Sequence, residues 1–158
     1  MRGMSVFTGH SPHCLLRYDA MKEQGSEQVD RVQTVTIPVV PLGKPRMTRR
    51  DKWAKRPCVM RYREYADALR AAFKTESKMS DAPLRLDWQA YFPMPESWSK
   101  SKKEQMRGAP HRQKPDRDNT DKGILDSLFA EDSTIAHGTL EKYWDDGLGP
   151  RLILTLYW

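Results

Sequence analysis

Residues Leu84–Phe92 read LRLDWQAYF, and their alternation decides the fold. Leu84, Leu86, Trp88, Ala90 and Phe92 fall on one side, and Arg85, Asp87, Gln89 and Tyr91 on the other. Successive side chains of a strand point to opposite faces, so this stretch is a strand with one buried face. Asp81 and Pro83 precede it, and Pro93 and Pro95 close it. Upstream, Arg61–Lys78 spaces Tyr62, Tyr65, Ala66, Leu69, Ala72 and Phe73 by three and four, the stripe of an amphipathic helix. Before the helix, Thr34–Val40 (TVTIPVV) is β-branched, with Pro38 favouring an edge or a strand end. Downstream, Ser97–Gln113 is polar and basic, a loop or a short helix. Ile124, Leu125, Leu128 and Phe129 then mark a second helix from about Asn119 to Phe129, capped by Asp118 or Asn119. Ser133–Trp144 is a weaker strand candidate. Asp145–Pro150 (DDGLGP) carries the Asp146-Gly147 hairpin signal, and Arg151–Trp158 alternates as a last strand. The expected fold class is α/β (α+β): a small mixed sheet of about four strands against two main helices.

The chain has 158 residues, which suits one domain. Residues 1–33 are polar and unperiodic and read as a mobile N-terminal extension with a short helix around Tyr18–Gln24. Residues 34–158 form the expected domain. No run approaches the roughly 20 apolar residues of a membrane span. The first residues lack a signal-peptide core, and Cys14 and Cys58 make no disulfide framework. These features point to the cytoplasm.

The net charge of +6 hides a sharper pattern. Lys44–Arg63 holds nine basic residues and one acid, Asp51. Trp98–Lys122 holds eight bases against four acids, and from Gly123 onward six acids face two bases. Basic blocks interleaved with Trp53, Trp98 and proline fit a nucleic-acid footprint, although solvated charged loops share this composition. Trp53 and Trp98 suit stacking on unpaired bases or packing in a loop. His111 sits in the second block, where it suits a phosphate contact.

The stretch with chemistry in it is Lys114–Asp132, KPDRDNTDKGILDSLFAED. In an extended Pro115–Asp118, the carboxylates of Asp116 and Asp118 share one side of the backbone. Like charges at that spacing call for a cation, and hard oxygen donors suit Mg²⁺. Lys122 and Asp126 continue the same face of the helix, one and two turns on. Asp-x-Asp is also a common surface spacing, Asp118 could be only a cap, and Lys122–Asp126 could be only a surface pair. The combination decides: an acidic knot at the edge of a basic block repels phosphate when bare and attracts it when it holds a cation.

The run P-D-x-D-N-x-x-K-x-x-x-D-x-L, followed by an acidic pair, resembles the RusA family of Holliday junction resolvases, with its many phage-encoded members. The strand running into Pro41, then Gly43-Lys44-Pro45-Arg46 and the Tyr62/Tyr65 helix, resembles it too, so that the likeness covers roughly Val35–Trp158. The resemblance implies Asp116, Asp118 and Asp132 as metal ligands and catalytic residues, with Lys122 needed for cleavage. Glu131 is the alternative to Asp132. Thr120 stands where the family commonly has Leu, a change expected to affect packing more than chemistry. The resemblance further implies a homodimer, dependence on Mg²⁺ with Mn²⁺ as a substitute, and symmetric nicking of four-way DNA junctions in recombination and repair. The setting implied is the bacterial cytoplasm at the nucleoid. Lys44, Arg46, Arg49, Arg50, Lys52, Arg56, Lys114 and Arg117 are the expected DNA-binding residues. A non-catalytic branched-DNA-binding protein of the same fold is the alternative. A nucleotide-sugar transferase would need a Gly-rich phosphate loop that the sequence lacks.

Overall fold

The computed structural model describes residues 31–158 apart from Ala54 and Glu76. The expected extension up to residue 30, with its short helix, lies outside the described residues. The four strands are β1 (Val32–Ile37), β2 (Arg85–Phe92), β3 (Leu140–Trp144) and β4 (Arg151–Tyr157). The helices are α1 (Pro57–Ala72), α2 (Lys100–Met106) and α3 (Arg117–Leu128), and Arg49–Lys52 is a 3-10 turn. This is the expected mixed sheet, with two main helices and one short one.

Strand order is β1-β4-β2-β3. β4 runs antiparallel to both β1 and β2, while β3 is parallel to β2. The alternation of β2 buries Leu86, Trp88, Ala90 and Phe92, and that of β4 buries Leu152, Leu154 and Leu156. Tyr62, Tyr65 and Leu69 of α1 and Ile124 and Leu128 of α3 join these residues in one core. Each fully buried leucine there contributes about 2 kcal/mol by leaving water.

Several expected boundaries move. β1 begins at Val32, so Val32 and Gln33 belong to the sheet rather than to the extension. α1 starts at Pro57, because proline at the first helical position has its φ preset and needs no N–H partner there. It ends at Ala72 rather than near Lys78, since Lys74 takes a φ of 56°. The region Ser97–Gln113 resolves into α2, capped by Ser99 Oγ accepting from the Lys102 amide at 3.3 Å. Within Ser133–Trp144 only Leu140–Trp144 is strand.

The hairpin expected at Asp146-Gly147 does not form. β3 and β4 lie on opposite sides of β2, and the turn crosses the end of that strand, where the Asp145 amide donates to Phe92 O at 2.8 Å. Arg151 grips the Asp146 carboxylate through both terminal nitrogens, at 2.7 and 2.8 Å. That grip fixes the crossing without strand pairing.

Candidate active site

The N-terminal end of α3 gathers the acids. Asp116 holds the cap position, and Asp118 and Asn119, the expected caps, lie inside the first turn. The extended Asp-x-Asp geometry is therefore half right: Asp116 is extended (φ −67°, ψ 156°), whereas Asp118 is helical. The Asp116 side chain makes no capping bond. The Thr120 amide and hydroxyl instead donate to Asp116 O, each at 3.0 Å. Thr120 is fully buried, and the carboxylates of Asp116 and Asp118 are exposed at a helix end that favours negative charge. Lys122, one turn along, is also exposed.

Asp121 lies half-buried between this turn and the sheet. Its Oδ1 accepts from Trp88 Nε1 at 2.9 Å. Burial pushes its pKa up, the charges of Asp132 and Asp118 add to the rise, and Trp88 and Arg117 oppose it. Asp132, in the loop after α3, is near enough to Asp121 for its charge to be felt there. Glu131 is occupied elsewhere: its Oε1 accepts from the amides of Asp132 and Ser133, both at 3.1 Å. The bond from Ser133 is the main cause holding its pKa down. Asp126 pairs with Lys44 at 2.5 Å.

That pair is one fastening of the basic segment to α3. The Lys44 amide donates to Asn119 O at 3.1 Å. A Cβ on Gly43 would stand 2.4 Å from Asn119 Nδ2 and 2.9 Å from Pro115 Cβ, and one on Gly123 would stand 3.0 Å from Leu42 O. Gly123 lets the backbone of residues 42–44 lie against α3, and Gly43 leaves room for the Asn119 and Pro115 side chains. From α1, Tyr62 Oη reaches Gly123 O at 3.1 Å, and Ser127 Oγ donates to the same carbonyl.

The rest of the basic loop is folded around Asp51. This buried carboxylate accepts from the Thr48 amide at 2.6 Å and from Arg56 Nε and Nη2 at 2.6 and 2.7 Å. The Arg56 bond chiefly holds its pKa down, to about 2. Arg63 donates to Asp51 O at 2.7 Å, and Arg56 also reaches Arg46 O. Of the expected DNA-binding residues, Lys44 and Arg56 are therefore engaged within the fold. Arg46, Arg49, Arg50, Lys114 and Arg117 are exposed, and Trp53 stands out at 80% exposure.

One other expectation changes, and for Trp98 the packing alternative holds. His111 is buried rather than free for phosphate: it stacks on Phe92 at 4.2 Å and tilts against Trp144 at 4.3 Å. Burial, with Lys142 nearby, drives its pKa down to about 4. Trp98 packs on Trp144 at 4.8 Å beneath Lys102.

The donor chemistry fits a hard divalent cation: exposed carboxylate oxygens whose mutual repulsion a cation relieves. Among the described residues, no three Asp, Glu, His or Cys side chains form a ready-made cage. Mg²⁺ does not require one, since it keeps several waters and takes one or two carboxylates with substrate phosphate.

Solvent-facing acids stand at the start of α3, and the basic segment is keyed to the same helix through Lys44. The family model described as Endodeoxyribonuclease RusA matches residues 36–157, and the chain belongs to that family. It is accordingly a nuclease, of a family with a general role in Holliday-junction resolution. Neither the curated proteins nor the solved structures contain a match. No helix among the described residues is long and apolar enough to cross a membrane.

Asp121 and Lys142 belong to this neighbourhood and are not among the candidate site residues read from sequence. Both were detectable. Asp121 stands three residues before Ile124 and seven before Leu128, on the apolar stripe of α3. Lys142 stands between Leu140 and Trp144 on the helix-facing side of β3. A charge where the period asks for an apolar residue is the signal.

Proposed function

We propose that this chain is a Mg²⁺-dependent endonuclease that cuts four-way DNA junctions by paired nicks as a homodimer. The observation that carries the reading is the start of α3, where Asp116 and Asp118 keep their carboxylates exposed while the main chain and Thr120 hold the helix end.

Asp116, Asp118 and Asp132 would hold the cation, with Asp132 favoured over Glu131 because Glu131 is spent on its own loop. A divalent cation there supplies Lewis-acid polarisation of a phosphodiester and a water acidic enough to attack it. Lys122 offsets charge on a non-bridging or leaving oxygen. Arg46, Arg49, Arg50, Lys114 and Arg117, with Lys52 beside them in sequence, grip phosphates without reading bases. Lys44 and Arg56 serve the same end indirectly, by fixing the loop. A two-fold dimer would present two such sites to the near two-fold arms of a junction.

A synthetic four-way junction, labelled on each strand in turn and incubated with and without Mg²⁺, tests this. The expected result is paired, symmetric nicks only with the metal. Tight junction binding without any cutting in Mg²⁺ or Mn²⁺ would instead identify a non-catalytic branched-DNA-binding protein.

A further inference from the structure

We infer that Lys142 is a positioning residue for Asp116, acting through the main chain that delivers this acid to the cation site. The inference rests on the reading of the acidic site given above.

Lys142 faces the helices from the middle of β3, opposite Ala90. Its Nζ donates to Gln113 O at 2.8 Å and also to Pro115 O. Its own carbonyl accepts from the His111 amide at 2.9 Å. One residue thus clamps the segment 111–115 at three points, by main chain at one end and by side chain at the other. The next residue is Asp116, whose carbonyl is held from the opposite side by Thr120. Asp116 is therefore fixed on both flanks, while its carboxylate makes no capping bond. Phe92, its ring 5.6 Å from Nζ, lies alongside the amine.

A lysine is a costly way to tie two carbonyls if packing were the only need, since the amine gives up hydration. Its charge also lies close enough to Asp116 for the two to interact. By charge alone, Lys142 should weaken cation binding, and removing it should tighten that binding. By positioning, removing it should loosen Asp116 and weaken binding. The two effects have opposite signs, which makes the measurement decisive.

Mn²⁺ binding to the full chain, read directly from the free-Mn²⁺ electron paramagnetic resonance signal, is compared among wild type, Lys142→Met, Lys142→Arg and Asp118→Asn. Thermal unfolding and metal-free junction binding are measured alongside. Lys142→Met should weaken Mn²⁺ binding about tenfold or more, as loss of a supporting partner of a ligand typically does. Lys142→Arg, which keeps two donors, should recover most of it. Unchanged or tighter Mn²⁺ binding by folded Lys142→Met overturns the inference. If Lys142→Met fails to fold, Lys142→Gln carries the same comparison. Equal Mn²⁺ binding by Asp118→Asn and wild type overturns the site itself, and the inference with it. Loss in Asp118→Asn but not in Lys142→Met overturns only the positioning role.

Discussion

Trp88 Nε1 donates to Asp121 Oδ1 at 2.9 Å, so a fully buried indole on the central sheet holds a carboxylate beside the exposed acids of α3. Asn keeps an acceptor for that indole and removes the charge that the neighbouring Asp118 and Asp132 oppose. Asp121→Asn should therefore fold at least as stably as wild type by thermal unfolding, and it should bind a junction more tightly in the absence of metal. A large loss of stability would mean that the charge, rather than the hydrogen bond, holds this corner together.

His111 sets a pH dependence. Its folded pKa of about 4 lies below the ordinary 6.5, so the unfolded chain binds the extra proton first. Its contribution to stability is complete above about pH 6.5 and is lost progressively as pH falls toward 4, by on the order of 2–3 kcal/mol. Urea unfolding between pH 7.5 and 4 should show this decline in wild type. In His111→Phe, which keeps an aromatic ring against Phe92 and Trp144, the curve should flatten across that interval.

Asp51 offers a test in which structure and net charge disagree. It is the only acid between Lys44 and Arg63, so removing it makes the loop more positive. It is also the group around which Thr48, Arg56 and Arg63 are arranged. The ordered geometry should win. Asp51→Ala should bind a junction several-fold more weakly by gel shift, despite its higher positive charge.

Trp53 touches the same loop differently. At 80% exposure beside Arg49 and Arg50, it adds little to the fold and presents an aromatic face at the end of a basic turn. Trp53→Ala should leave the melting temperature unchanged. If Trp53 stacks on an unpaired base, the loss in junction binding should be about 1–3 kcal/mol, with a smaller loss on plain duplex.

Much of the fold was legible because burial writes a period into the chain. The alternation of Leu86, Trp88, Ala90 and Phe92 is reproduced in the buried face of β2, and that of Leu152, Leu154 and Leu156 in β4. Strand order was not legible. Asp146-Gly147 is a local hairpin signal, but β2 takes the place beside β4 through long-range pairing that no local dipeptide encodes. At the site, residue types were readable and their employment was not. Lys44 and Arg56 count as cations in sequence, and only the fold reveals that Asp126 and Asp51 hold them. Asp121 and Lys142 escape a reading by residue type, because an acid and a base count toward a charged surface until their phase on α3 and β3 is known.

Asp118 tests the central claim most directly. Asp118→Asn replaces one exposed carboxylate at the second position of α3, costing about 0.3–1 kcal/mol in favourable helix-end charge. The decisive measurement is cleavage and binding of one four-way junction by Asp118→Asn and wild type, at matched Mg²⁺. Cleavage should vanish while binding is kept or tightened, since a negative charge near DNA has been removed. Cutting at the wild-type rate would contradict the assignment of the start of α3 as the catalytic site.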